Sequence, residues 1–362
     1  MQPRRKPFIF WKLIERENAV RYMMISMLSF VATVFVVRTF LALTGYPQIG
    51  TGTLHIAHVL WGGLILYIAA ILPLIYLNPR LHTLVAILSG VGVGLFIDEV
   101  GKFITRQYDY FIPAAAPIIY IFFLLIVIIM IMIRRPEAVD GRAELVKTLE
   151  IVREQLYRPL EPIERAHVET DMSKVLETDP DEQHQAMAMK LLEIVHSDSR
   201  TVPETQPGWW RYYAKQLEGW LTEPQLSWLL GVGMLLVSLL TLKNPVQVWL
   251  EHVMPNSALV AFLNAHAGRQ IAPAEAPILF NTRLVLEILV GLLLLISVVL
   301  LAARRKRLAF DLGYLSLLVS ITVLDLLLFY FEQFSTIVIV LIQFIVLFGL
   351  IYYRGKYLKS RT

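Results

Sequence analysis

The sequence predicts an all-α fold, a polytopic membrane bundle of about eight transmembrane helices with a helical cytoplasmic domain. Of its 362 residues, 56% are hydrophobic and only 17% are charged, and the mean hydropathy is +0.60. Soluble domains typically contain about 45–50% apolar and about 25% charged residues. Eight apolar runs are long enough to cross the roughly 30 Å hydrocarbon core as helices. Their residues do not alternate with the two-residue period of membrane β-strands.

The predicted spans follow one another in two groups of four. A helix satisfies its own backbone hydrogen bonds in lipid, so an apolar run of about 17–25 residues indicates a transmembrane helix. The spans are Tyr22–Thr44, Ile56–Leu77, Leu81–Ile97, Ile112–Ile133, Leu226–Leu242, Leu284–Ala303, Leu308–Phe331 and Phe334–Tyr353.

Lysine and arginine are distributed unevenly between the two sides of the bilayer. With an even number of spans, both termini and the linker between spans six and seven share one side. That side carries 15 basic residues against five on the other, when residues 134–222 are set aside. Because cytoplasmic loops are enriched in lysine and arginine, we predict a plasma-membrane protein with both termini in the cytoplasm. The first span lacks a small-residue cleavage site, which predicts a retained signal anchor.

Composition divides the chain into three regions. The middle region holds 12 lysines and arginines and 17 aspartates and glutamates, a net charge of −5, whereas the rest of the chain carries +9. The predicted regions are an N-terminal membrane region (1–133), an acidic helical cytoplasmic domain (134–222) and a C-terminal membrane region (223–362) with an external loop (243–283).

The middle region is expected to fold into three or four amphipathic helices. Its apolar residues recur at spacings of three and four, and breaks are expected near Pro159, Pro162 and Pro180. An acidic region offers no basic groove for nucleic acid, so we expect no nucleic-acid partner. Within the external loop, residues 246–254 are expected to form a separate interfacial helix that ends at Pro255.

Two histidines open span two. His55 and His58 are three residues apart and therefore share one helical face. With Asp98 as a third ligand, they predict a site for a divalent metal such as zinc. The alternative is that both are polar interface residues that hydrogen-bond to a neighbouring loop. The chain contains no cysteine, which excludes disulfides and thiolate metal sites.

Span three ends in polar residues that continue a glycine stripe. Gly90, Gly94, Asp98 and Lys102 are spaced by four. This spacing predicts that a neighbouring helix packs closely against the glycines and that Asp98 points towards it. Asp98 and Glu99 are candidates to ligate a metal, to relay protons or simply to pair with Lys102.

Other ionisable residues lie within the predicted spans, where charge is costly and side chains face the bundle interior. Arg38, in the external third of span one, is predicted to pair with a carboxylate of span three. Arg283 and Glu287, four residues apart, are predicted to form an ion pair. Asp325 and Glu332 are seven residues apart on one helical face, and we expect both to line a cavity beneath the outer surface.

Three segments carry a resemblance to known sequences. They are HIAHVLWG at 55–62, GVGLFIDE at 92–99 and FYFEQF at 329–334. Together they resemble a group of uncharacterised multi-pass prokaryotic membrane proteins. The resemblance covers spans two and three and the turn between spans seven and eight, and it implies no activity.

The leading functional interpretation is non-enzymatic transport or sensing of a cation or proton through the external cluster of His55, His58, Asp98 and Glu99. One alternative is an intramembrane metal-dependent hydrolase that acts on a lipid ester or amide. Another is a membrane scaffold that recruits a cytoplasmic protein through residues 134–222. The lipid bilayer itself is an expected partner. The sequence does not indicate the cargo or the oligomeric state.

Overall fold

The computed structural model of the chain describes residues 14–16, 18–45, 58–79, 81–104, 112–133, 141–197, 222–255 and 275–358, and these contain helices and turns but no strand. Its α-helices are α1 (Ala19–Thr44), α2 (His58–Ile75), α3 (Leu81–Asp98), α4 (Val100–Ile104), α5 (Ala115–Ile133), α6 (Gly141–Glu154), α7 (Pro162–Thr178), α8 (Glu182–Ser197), α9 (Glu223–Val253), α10 (Pro277–Ala302), α11 (Lys306–Val319), α12 (Asp325–Glu332) and α13 (Ile337–Tyr353). Two π-helical turns, Ser320–Leu324 and Arg354–Leu358, and a 3₁₀ turn, Gln333–Thr336, complete the second half.

Seven helical segments in the described part of the chain are long and apolar enough to cross a membrane. Six of them are the single helices α1, α2, α3, α5, α9 and α10, and the seventh is the 53-residue segment Lys306–Leu358. The all-α class and the multi-pass character predicted from the sequence are therefore confirmed.

The seventh segment turns back on itself. A straight α-helix of this length would extend for about 80 Å, far more than a bilayer needs. The chain reverses near Gln333, whose φ of 52° and ψ of −137° are rare for a residue other than glycine. Phe310 of α11 packs against Tyr353 at the far end of α13, with ring centroids 4.4 Å apart. The segment is therefore a hairpin with two antiparallel arms: the first comprises α11, the π-helical turn Ser320–Leu324 and α12, and the second is α13.

The chain forms two compact units. The first unit comprises residues 1–96 and 126–214, and the second comprises residues 97–125 and 215–362. These boundaries differ from those of the three regions expected from composition, which stay a prediction.

Glycines bring the helices of the first unit close together. A Cβ atom at Gly90 would lie 2.2 Å from the carbonyl oxygen of Ser26 in α1, and Gly94 contacts α1 one turn further along. A Cβ atom at Gly62 of α2 would lie 2.8 Å from the carbonyl oxygen of Gly92. The predicted close packing along the glycine stripe is present, and α3 uses its glycines against both α1 and α2.

The helices α6, α7 and α8 share a small apolar core. Leu145, Val168, Met172 and Leu191 are among its buried members. The predicted helix breaks are confirmed, because α6 ends before Pro159, Pro162 is the first residue of α7, and α7 ends before Pro180.

Arg158 joins α6 to α7 through two carboxylates. Its guanidinium donates to Glu154 at 2.6 Å and to Glu164 at 2.8 Å. Burial disfavours the charged form of Glu164, but the hydrogen bonds from Arg158 and from the backbone N–H of Glu161 hold its pKa below the ordinary value. The same backbone bond, 2.9 Å long, caps the N-terminus of α7.

The second unit is a bundle built around α9, α10 and the hairpin. Met234, Leu294 and Leu317 are fully buried in its core. The Ser238 hydroxyl donates to the carbonyl of Gly291 at 2.8 Å, which ties α9 to α10. Apolar side chains therefore form the core of the second unit.

The expected interfacial helix at residues 246–254 is not separate. Instead, α9 continues through Pro245 to Val253, although proline cannot donate to the Thr241 carbonyl. Next to this proline, the Asn244 amide donates to Glu287 of α10 at 3.0 Å. α10 begins at Pro277, so helices occupy both ends of the segment predicted as a loop.

Candidate functional site

The structure distributes the predicted site residues between the two compact units. Arg38 and His58 belong to the first unit, whereas Asp98, Glu99, Lys102, Asp325 and Glu332 belong to the second. His55 lies outside the described residues. The pairing of Arg38 with a carboxylate of span three, and the joint site of His55, His58 and Asp98, therefore stay predictions.

The acidic pair at the end of α3 is completely buried. Asp98 and Glu99 both have 0% exposure. The helix breaks at Glu99, between α3 and α4, and the carboxylate of Glu99 forms an ion pair with Lys102. Pairing with Lys102 was one of the roles considered for this segment, and Glu99 makes that pair. Because the helix breaks at Glu99, the regular four-residue stripe ends at Asp98 and does not reach Lys102.

Asp325 follows a π-helical turn in the middle of the hairpin's first arm. Its backbone N–H donates to the carbonyl of Ser320, five residues back, instead of to Ile321, four residues back. The carbonyl of Ile321 is thereby released from the helical ladder. Single π-turns within α-helices are rare and occur frequently at functional sites.

Tyr120 of α5 forms a hydrogen bond with the released carbonyl of Ile321. Its hydroxyl donates to the Ile321 oxygen at 2.7 Å and lies 3.4 Å from Oδ2 of Asp325. The ring packs against Phe329, with centroids 4.7 Å apart. The hydrogen bond satisfies a buried backbone acceptor and places a phenol beside the carboxyl group.

Gln343 of α13 approaches the same carboxyl group from the other arm. Its Nε2 donates to Oδ1 of Asp325 at 3.1 Å. Asp325, Gln343 and Ser320 all have 0% exposure. Among the described residues, the amide oxygen of Gln343 and the hydroxyl of Ser320 have no hydrogen-bond partner. We call Tyr120, Ser320, Asp325 and Gln343 the bulge site.

A second polar group, the arginine cluster, consists of Asn244, Arg283, Glu287 and Glu332. The predicted ion pair is present, with Nε of Arg283 2.9 Å from Oε1 of Glu287. The guanidinium also pairs with Glu332, and the Asn244 amide donates to Glu287 at 3.0 Å and to Glu332 at 3.2 Å. Arg283 has 0% exposure. α9, α10 and α12 are therefore joined by charge-assisted contacts inside the bundle.

The two carboxylates of α12 belong to different sites. Asp325 contacts Tyr120 and Gln343, whereas Glu332 contacts Arg283 and Asn244. Seven residues correspond to two helical turns, or about 10 Å along the axis. The two acids therefore have different partners at different depths, and the expectation that both line one cavity stays a prediction.

Sequence reasoning did not single out Tyr120, Asn244, Ser320 or Gln343. Gln343 had a usable signal, because it is the one polar residue in the run IVIVLIQFIVLF at 337–348, and a polar side chain in lipid needs a partner. Tyr120 had no such signal, because tyrosine is common at membrane interfaces.

The described residues do not contain an arrangement of side chains suited to bind a metal ion. Within them, no group of three histidine, aspartate or glutamate side chains is arranged to hold one metal ion. Since His55 lies outside this part of the chain, the zinc site and the hydrolase interpretation that depends on it stay predictions.

The chain was compared with protein families, curated proteins and solved structures. No family model, no curated protein and no solved structure matches the chain.

Proposed function

We propose that this chain is a non-enzymatic, multi-pass membrane protein that binds a proton or a monovalent cation at the bulge site, in a transport or sensing role. The observation that carries the proposal is the environment of Asp325. Its carboxyl group is fully buried, and its side-chain partners, Tyr120 and Gln343, are both neutral.

A buried carboxylate is costly unless a positive charge compensates it. No cationic side chain in the described part of the chain pairs with Asp325, so the compensating charge has to come from a bound ligand. Gln343 contacts Asp325 through Nε2, and its unpartnered amide oxygen adds an oxygen donor, which suits a proton or a hard cation.

The arginine cluster supports the choice of the bulge site by contrast. There, Glu287 and Glu332 already share the guanidinium of Arg283. Both carboxylates therefore contact a positive charge that belongs to the protein. The arginine cluster therefore connects helices through a cation of its own, whereas Asp325 at the bulge site has no cationic partner among the described residues.

The proposal includes the membrane topology. Counting both arms of the hairpin as crossings gives eight, and an even number places both termini on the cytoplasmic side. This arrangement follows the distribution of basic residues. In it, the bulge site lies within the bilayer, and the cluster of His58, Asp98 and Glu99 expected from the sequence stays a prediction.

Carbodiimide labelling tests the proposal directly. A hydrophobic carbodiimide modifies a protonated carboxyl group in apolar surroundings, and mass spectrometry locates the adduct. We expect Asp325 to be labelled, with a rate that falls as pH rises or as sodium or potassium is added. Asp325→Asn is expected to remove this labelling. Asp311→Asn is the matched control, since Asp311 lies in α11 and pairs with Arg354 at 3.0 Å.

The proposal would be overturned if Asp325 were not labelled, or if its labelling responded neither to pH nor to alkali cations. A response to pH alone identifies a proton site, whereas protection by sodium or potassium identifies a cation site.

A further inference from the structure

The turn between α10 and α11 concentrates positive charge at one end of the second unit. Four consecutive basic residues, Arg304-Arg305-Lys306-Arg307, occupy it. The arginine cluster lies near the start of α10, and this turn follows the end of the same helix. The basic turn therefore lies at the opposite end of the bundle from the arginine cluster.

The turn holds an arginine where glycine is normally found. Arg304 has a φ of 62°, in the left-handed region that commonly ends helices with glycine. The N–H of Arg305 donates to the carbonyl of Leu300 at 2.9 Å, which closes the turn. A side chain in this conformation is unfavourable relative to glycine, so the position keeps a charge at the expense of backbone strain.

The turn borders a groove of about 490 Å³, within the usual range of small-molecule pockets. We call it the basic groove. Its one carboxylate, Glu223, is already engaged, because it pairs with Lys306 at 3.0 Å and accepts a hydrogen bond from Tyr353 at 2.9 Å. The basic groove therefore has an excess of positive charge.

The three arginines of the basic groove have no carboxylate partner among the described residues. Arg304, Arg305 and Arg307 are all exposed. Guanidinium groups bind phosphate oxygens through paired hydrogen bonds. The polar lining of the basic groove therefore fits a phosphate group.

The remaining lining is apolar. Leu308, Tyr357 and Leu358 complete the wall of the basic groove, and Leu308 is 56% exposed. An inorganic phosphate would gain nothing from these side chains, whereas the first carbons of a lipid would contact them. Basic pockets between transmembrane helices on the cytoplasmic side are known to hold anionic head groups.

We infer that the basic groove binds the phosphate head group of an anionic phospholipid. The arginines contact the phosphate, and Leu308, Tyr357 and Leu358 contact the glycerol and upper acyl region. This inference concerns the membrane-surface end of the bundle and is independent of ion binding at the bulge site.

Lipid retention measured by native mass spectrometry tests the inference. The full chain is reconstituted with equal amounts of phosphatidylglycerol and phosphatidylcholine, and the lipids that stay bound are counted. We expect phosphatidylglycerol to be preferred. The triple variant R304Q/R305Q/R307Q is expected to lower this preference roughly tenfold or more, while R304K/R305K/R307K, which retains the charge, keeps most of it.

The matched control is R142Q/K174Q/K190Q, which removes the same charge from exposed positions of α6, α7 and α8 and is expected to leave the preference unchanged. An equal loss in this control, equal retention of the two lipids by the unmodified chain, or displacement of the lipid by millimolar inorganic phosphate would overturn the inference.

Discussion

The hydroxyl of Tyr120 donates a 2.7 Å hydrogen bond to the carbonyl oxygen of Ile321, the backbone acceptor that the π-turn releases. This bond joins α5 to the hairpin across 201 residues of sequence. The distortion of the helix and the tyrosine that satisfies it therefore form one structural feature.

Tyr120→Phe is expected to destabilise the second unit, because it leaves the Ile321 carbonyl buried without a donor. The expected cost is about 1–3 kcal/mol in the free energy of unfolding. Thermal or denaturant unfolding in detergent measures it. Tyr314→Phe is the control, since the Tyr314 hydroxyl has no hydrogen bond within the described part of the chain, and this change is expected to have little effect.

Removing the guanidinium of the arginine cluster is expected to be more costly. Arg283→Met leaves Glu287 and Glu332 without their counter-charge, and breaking a buried pair typically costs about 3–5 kcal/mol. The triple variant R283M/E287Q/E332Q removes the unpaired charges as well, and we expect it to recover much of the lost stability. If the single and the triple variant had the same unfolding midpoint, this account would be contradicted.

Two neighbouring glycines of α2 are expected to respond differently to the same substitution. Gly62→Ala places a methyl group 2.8 Å from the backbone of α3, whereas the space beside Gly63 is open. Overpacking of this kind costs about 1–3 kcal/mol. Thermal unfolding is expected to show a lower midpoint for Gly62→Ala and an unchanged midpoint for Gly63→Ala.

The central helices are expected to lose stability in acid through Asp179. The backbone N–H of Asp181 and the ring of His184 donate to its carboxylate at 3.0 Å and 2.8 Å and hold the pKa of Asp179 below its ordinary value of 3.8. A lowered folded-state pKa contributes stability above the unfolded-state value, and this contribution is lost as pH falls through the folded-state value.

This pH dependence can be followed by a thiol at Ala188, a fully buried position in the core of α6, α7 and α8. In an Ala188→Cys background, the rate of reaction with a disulfide reagent active in acid reports opening of the core. Asp179→Asn is expected to speed the reaction at pH 6 and to make progressively less difference as pH falls below 3.8, the ordinary pKa of this carboxyl group. If the Ala188→Cys chain reacted at the same rate at pH 6 with and without Asp179→Asn, Asp179 would not have the stabilising role assigned to it.

Topology is open to cysteine labelling, because the chain contains no native cysteine. Ser335 lies exposed in the turn of the hairpin, and Arg304 lies exposed at the opposite end of α11. In sealed cells, we expect a membrane-impermeant maleimide to label Ser335→Cys and to label Arg304→Cys only after the cells are opened. Labelling of both from the same side would exclude the eight-crossing arrangement.

Features encoded by local periodicity were predictable from the sequence. Apolar runs revealed the membrane helices, the four-residue spacing revealed the Arg283–Glu287 pair, and the prolines marked the breaks around α7. The π-turn before Asp325 was not predictable, since its stabilising partner lies in a helix far away in the sequence. Periodicity assigns residues to a helical face, but it does not give the neighbour at each depth, which is why it did not show that Asp325 and Glu332 have different partners.

The ion pair inside α10 has a consequence for biosynthesis. The chain is made from its amino end, so Arg283 is synthesised 49 residues before Glu332. During that interval, Glu287 of the same helix supplies the counter-charge one turn away. We expect an arginine accompanied by its own acid to enter the bilayer at lower cost than a lone one, and we expect Glu332 to join the pair after that helix has been inserted.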